Sequence, residues 1–175
     1  PADGYTLLMT DIASHCISAT LYGRKLNYDP LKDFQPIMMV AGSPMVLIAN
    51  PAPQVRTLAQ LIKLAKSRPG QLSYASSGTG SITHLAAVRM QKLGGVELLH
   101  VPFKGSIPAA SSVMSGETFM SFSTIPASLP HTKSGRLVMI AQSFAKRVPQ
   151  IPDVPTLAET LGDFDLGFLS GLWVP

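Results

Sequence analysis

The chain has 175 residues, with 46% hydrophobic and only 14% charged side chains, so a folded core is expected and disorder is excluded. Its net charge of +4 is unevenly spread: residues 34–152 carry eleven basic side chains against two acids, Glu97 and Glu117, while both flanks lean acidic. A cationic middle favours anionic ligands or surfaces, although Lys63, Lys66, Arg68, Arg89 and Lys92 also fit the outer faces of helices.

Residues 5–9 form a short apolar run suited to a buried strand, and residues 14–21 suit a brief helix with Ser14 as its cap. Asn27-Tyr28-Asp29-Pro30 predicts a turn. Residues 34–41 and 45–49 predict two strands joined by Gly42-Ser43-Pro44; that interruption also leaves no apolar run long enough to span a membrane. From Thr57 a helix is expected, because Thr57 and Gln60 have capping-box spacing and Leu58, Leu61, Ile62 and Ala65 share a face. Pro69-Gly70 ends it, residues 72–75 read as a strand, and a helix follows through Leu85, Ala86, Val88, Arg89 and Leu93.

The alternation continues with a strand at 97–101, a helix at 108–115, a strand at 118–122, a helix at 126–133 and a strand at 137–141. A last helix at 156–161 has Thr156 and Glu159 at capping-box spacing. Strand and helix alternating in this way predict an α/β class with parallel pairing. The proline-rich stretch 148–155 predicts an extended connector.

The strongest local signal runs from Tyr74 to His84, where a strand enters a turn rich in Ser, Gly and Thr and then a helix. The first amides of a helix lack partners and carry partial positive charge, so they bind anions. Gly78 and Gly80 permit close backbone approach, and the hydroxyls of Ser76, Ser77, Thr79 and Ser81 add donors. An ordinary strand-to-helix turn with a good cap has the same composition. His84 is expected to pack or hydrogen-bond, with ligand contact as the second role.

No catalytic, metal or cofactor residue is indicated. A nucleophile elbow, a phosphate-binding P-loop and a complete dinucleotide fingerprint are all missing from the sequence. The four histidines, His15, His84, His100 and His131, have no metal-ligand spacing, and Cys16 stands alone. Aromatic content of 7% without basic–aromatic interleaving argues against nucleic acid.

Six segments in order carry a resemblance: PADGYTLLM at 1–9, YDPLKDF at 28–34, PGQLSYASSG at 69–78, HLA at 84–86, HVPFKG at 100–105 and PDVPTLAE at 152–159. Together they resemble the Bug family, the extracytoplasmic solute receptors of tripartite tricarboxylate transporters. The resemblance implies a periplasmic binding protein fold of type II-like form, two-lobed, with ligand in the cleft. It implies that the chain is a fragment: residues 1–41 are part of lobe one, 42–165 a nearly complete lobe two, and 166–175 return to lobe one. Any export signal is expected to lie outside this sequence or to have been removed.

It further implies a small organic acid as ligand, held largely by backbone amides, with membrane permease subunits as partners, a monomeric state and a periplasmic location. Residues 76–81 match one ligand loop of the family. A second contributor matches residues 10–15, which include Ser14, and a third matches residues 122–126, which include Ser123. Many members have an acid where this chain has Ser123, and in amino-acid binders that acid can receive an ammonium. A neutral Ser123 therefore points to a carboxylate without an amino group. Asp11 stands where a small neutral or hydroxyl residue is usual, and is expected to face solvent as a charge at a helix start. Two alternatives stay open: an α/β enzyme that uses residues 76–81 as an anion or oxyanion site, and a receptor that serves signalling only.

Overall fold

The computed structural model describes residues 3–51 and 55–175, with the side chains of residues 12–14 outside the description. The elements in chain order are β1 (Leu8–Asp11), α1 (Ile12–Tyr22), a 3-10 turn (Gly23–Lys25), β2 (Gln35–Ala49), α2 (Leu58–Ser67), β3 (Ser73–Ser76), α3 (Ile82–Gly94) and β4 (Leu99–Pro102). They continue with α4 (Ser106–Ser115), β5 (Met120–Thr124), α5 (Ile125–Lys133), β6 (Val138–Gln142), α6 (Ala158–Leu161) and β7 (Gly167–Val174). The backbone divides into two compact units: residues 1–43 with 167–175, and residues 44–166.

In the first unit β1 pairs antiparallel with β7, Leu8 opposite Trp173 and Asp11 opposite Ser170. His15 of α1 is buried there, and its Nε2–H donates to the carbonyl of Pro30 at 3.2 Å. Its ring centroid lies 5.3 Å from that of Phe34 and 5.0 Å from that of Trp173. The first half of β2 contrasts with this cluster. Ile37, Met38, Met39 and Val40 are all exposed although successive strand residues face opposite sides.

The second unit has a mixed sheet in the order β6–β2–β5–β3–β4. β3 pairs parallel with β4 and β5, whereas β2 pairs antiparallel with β5 and β6. Parallel pairing throughout, the expectation from alternation, therefore holds only for β4–β3–β5. The two strands expected around Gly42-Ser43-Pro44 are one 15-residue strand. Pro44 is tolerated because the ladder to β5 begins only at Met45, so its missing N–H costs no bond there.

Val46 and Ile48 of β2 and Ala75 of β3 pack with Ala109, Ala110 and Val113 of α4 and Ile125 of α5. α3 packs against β3 and β5, burying Ile82, Ala86, Ala87 and Met90. The α2 start is the capping box expected: Gln60 N–H donates to Thr57 Oγ1 at 3.3 Å, and Thr57 N–H to Gln60 Oε1 at 3.1 Å.

The connector at 148–155 has little regular structure, and one side chain organises it. The buried Gln142 amide donates to the carbonyls of Ile151 (3.2 Å) and Val154 (2.7 Å), and its oxygen accepts from Val148 N–H (2.9 Å). Arg147 adds a two-pronged bridge to Glu159 on the surface, with N···O distances of 2.8 and 2.7 Å. With the Thr156 amide, that bridge holds the Glu159 carboxyl down to about 2.

Two substitutions separate these devices. Thr57→Ala is expected to cost about 1 kcal/mol, the usual value of a cap. Gln142→Leu leaves the Val148 N–H and the Val154 carbonyl without partners, at about 1–3 kcal/mol for each that stays buried, while the Ile151 carbonyl keeps the Val154 N–H. Urea unfolding of both variants should therefore rank Gln142→Leu as clearly more destabilising than Thr57→Ala.

Candidate functional site

Because β4, β3 and β5 run parallel, their carboxyl ends share one edge of the sheet. α3, α4 and α5 follow those three strands, so three helix amino ends start at that edge. Each brings the partial positive charge of its unpaired amides. α4 is the least covered, because Gly105 at its cap position offers no side-chain acceptor. Sequence reasoning missed α4 as a contributor. The Gly105-Ser106 step before its apolar face was the available signal.

The turn from β3 into α3 holds Ser76, Ser77, Gly78, Thr79, Gly80, Ser81 and His84 together, as expected. The expectation of a row of free amides is corrected, because most of them are taken within the turn. Ser77 N–H donates to Thr83 Oγ1 (3.0 Å), Gly78 N–H to Ser76 Oγ (3.2 Å) and Gly80 N–H to His84 Nδ1 (3.1 Å). Ser81 N–H donates to the carbonyl of Gly78, and His84 N–H to Ser81 Oγ, which caps α3. Among the described residues, the amides of Thr79, Ile82 and Thr83 take no acceptor. Of these residues only Thr79 is exposed.

The hydroxyls are likewise engaged. Ser81 Oγ donates to the carbonyl of Gly78 at 2.7 Å, and the hydroxyls of Ser77 and Ser81 both meet Thr83 Oγ1. The strand-to-helix segment after β4 runs alongside, with Phe103 N–H on Ser76 O and Gly105 N–H on Ser77 O. A side chain at Gly78 (φ 139°) would meet the carbonyl of Phe103 at 3.6 Å, and Gly80 has φ 80°. Both glycines are needed for conformation.

His100 of β4 is the residue the sequence did not single out. Its Nε2 lies 2.7 Å from Ser76 Oγ. Its ring lies nearly parallel to those of Tyr74 and His84, with centroids 4.8 and 4.1 Å away and planes 19° and 9° apart. Desolvation lowers the pKa of both histidines, and for His100 the neighbouring His84 lowers it further. The Ser76–His100 distance is that of a nucleophile and its base. However, Ser76 is fully buried, and its Oγ also contacts both the N–H and the carbonyl of Gly78. No carboxylate meets His100 among the described residues. The pair therefore braces the turn.

Ser123, next to last in β5, lies at the same edge. It is 2% exposed, and its hydroxyl has no partner among the described residues. Ser14 lies inside α1 rather than at its cap, and its side chain falls outside the described residues. The described residues hold no group of three or more side chains able to bind a metal ion, and none of their helices is long and apolar enough to cross a membrane. A groove of about 360 Å³, lined by Asn50, Arg68, Gln71 and Thr118 among others, lies at the opposite edge of β3 and β5, away from the turn.

The two neutral histidines have a measurable consequence. An unfolded histidine titrates near pH 6.5. Below that value the unfolded chain takes up protons that the folded pair resists. The stability held above pH 6.5 is therefore lost progressively as pH falls toward the lowered folded values. Urea midpoints at pH 7.5 and 5.5 should show a smaller acid loss for His100→Gln than for the parent chain.

The family profile described as tripartite tricarboxylate transporter family receptor, TctC, matches residues 1–174. A protein encoded between tcbD and tcbE in Pseudomonas sp. strain P51 is 32% identical across all of this chain and 52% of its own length. BugT of Bordetella pertussis is 34% identical over 90% of this chain and 48% of its own. This chain thus spans about half the length of those relatives. Among solved structures, R. palustris Rpa4515 with adipate superposes with a TM-score of 0.92 at 32% identity, over all of this chain and 58% of that one. MatC of Rhodopseudomonas palustris with bound malate gives 0.87 at 28%, over all of this chain and 60% of that one. The periplasmic binding protein BugD gives 0.89 at 29%, over all of this chain and 58% of that one. The α/β architecture is that of these periplasmic binding proteins, and the chain belongs to the TctC, or Bug, family of tripartite tricarboxylate transporter receptors.

Proposed function

We propose that this chain forms part of a periplasmic receptor that binds a small organic carboxylate without altering it and presents it to membrane permease subunits. The observation that carries the reading is the superposition along the whole chain on proteins solved with adipate and with bound malate, both dicarboxylates. The edge at which α3, α4 and α5 begin supplies fitting physics, since three positive helix ends suit an anion. We read residues 1–43 with 167–175 as part of lobe one and 44–166 as lobe two. Ser76, Ser77, Gly78, Thr79, Gly80, Ser81, His84 and Ser123 are assigned to the ligand edge, and Ser14 to lobe one. The protein acts as a monomer in this reading.

The internal bonding of the turn changes how the carboxylate is held. A fully unpaired loop would collapse onto ligand. This loop is already closed, so it offers a fixed, partly spent set of donors, and binding requires little ordering. The neutral Ser123 favours acids without an ammonium group.

Calorimetry on the whole protein with linear dicarboxylates, hydroxy acids, tricarboxylates, aromatic acids and acidic amino acids tests the reading. At least one dicarboxylate should bind, and no amino acid should bind more tightly. Gly80→Val, which forces a β-branched residue to φ 80°, should weaken that binding by about tenfold or more while circular dichroism stays unchanged. Silence from every carboxylate would refute the receptor assignment.

A further inference from the structure

Gly80 N–H points at His84 Nδ1 from 3.1 Å, which fixes the protonation of that ring. Nδ1 accepts only when it carries no proton, so His84 is the neutral Nε2–H tautomer. His100 is under no such constraint. Its Nε2 can accept from Ser76 Oγ or donate to it at the same 2.7 Å, so it can gain a proton without losing its partner. Of the two stacked rings, His84 alone loses a bond on protonation.

We propose that the Gly80–His84 contact is a proton-operated latch: a proton taken from solvent onto Nδ1 opens it, and the Gly80 amide and the imidazolium then become two converging donors for one carboxylate oxygen. Anion and proton are thereby taken up together. The inference rests on the receptor reading for the identity of the anion, and on the turn's own geometry for the latch.

The surroundings set the balance. On the elements packed against α3, the titratable groups are Tyr74 of β3, stacked on His100, and Glu159 of α6, which is bound to Arg147. β5 contributes no titratable side chain, and β4 contributes His100 itself. On α3, Arg89 is paired with Asp163 at 2.7 Å. No carboxylate of the protein faces either ring among the described residues. With only a second imidazole 4.1 Å away and a helix amino end beside it, His84 has nothing to neutralise a positive charge. Burial lowers its pKa accordingly. A bound carboxylate supplies the missing negative charge, and an amide and an imidazolium left facing one another need a shared acceptor. In the neutral state the ring nitrogen occupies the place of that ligand oxygen.

The test uses the whole protein and its His84→Asn variant, whose side-chain oxygen can accept from Gly80 but does not titrate. Adipate or malate binding is measured from pH 5.5 to 8.0 in buffers of different ionisation enthalpy. Wild-type protein should take up protons on binding near pH 6.5, and its affinity relative to His84→Asn should rise several-fold between pH 7.5 and 5.5. Comparing the two proteins cancels the titration of the ligand itself. A flat or falling ratio, or equal proton uptake by both, overturns the coupling. Nitrogen NMR of the unliganded protein judges the latch separately: the Gly80 amide and the His84 ring should shift with one common midpoint. Independent midpoints, or a Gly80 amide unmoved while His84 titrates, overturn the latch even if binding is found. Absence of binding with a common midpoint would instead fault the receptor reading.

Discussion

A strand that hands over to a helix within six residues must find partners for the amides that neither element can use. Around that constraint the second unit of this protein is organised. β3 ends at Ser76 and α3 begins at Ile82, and the amides between them turn to whatever acceptors lie closest. Thr83 and His84 reach back from the helix, while Ser76 reaches forward from the strand. The turn is thus closed by side chains on both of its own flanks. β4 then clamps it from outside through His100, and the segment after β4 through the amides of Phe103 and Gly105.

The rest of the unit holds this turn at one edge of the sheet. Parallel pairing of β3 with β4 and β5 brings three helix starts together, and the antiparallel β2 closes the far side of β5. The fully buried Val46 and Ile48 lock β2 beneath α4. Removing a side chain the size of Ile48 typically costs about 2–5 kcal/mol, so the sheet is the rigid part, and its edge is where we propose that ligand binds. Gln142 has the corresponding role for the proline-rich connector, where prolines lack donors and cannot build a ladder of their own.

What could be read from the sequence follows from how local each signal is. The Thr57–Gln60 and Thr156–Glu159 boxes are reciprocal bonds between residues three apart, and both are present. The Ser-Gly turn was legible as a strand-to-helix junction because glycine and hydroxyl residues declare themselves between a strand and a helix. Its internal wiring was not. Ser76 meets His100 across 24 residues, and no spacing rule connects a turn to the neighbouring strand. β2 was divided in two because Gly42-Ser43-Pro44 has turn chemistry, while the structure shows an extended strand whose ladder starts after the proline. β7 was not read as a strand at all, since GFLSGLWV has two glycines and gains its pairing from β1, more than 150 residues away, and from β2.

The electrostatics of the edge explain why two uncharged imidazoles belong there. Three helix amino ends already supply partial positive charge, and a further fixed cation would repel its neighbours whenever the site was empty. An imidazole avoids that cost. It stays neutral against His100 and the start of α3, and it accepts the Gly80 amide that would otherwise have no partner. Lysine or arginine at position 84 could satisfy neither need, because both only donate. A carboxylate there would accept the amide but would occupy the edge with the wrong sign. Among side chains that can accept from an amide at rest and donate to an anion on demand, histidine is the one whose proton exchanges near neutrality. In the proposed latch the turn is therefore complete without ligand and carries a positive charge when ligand arrives.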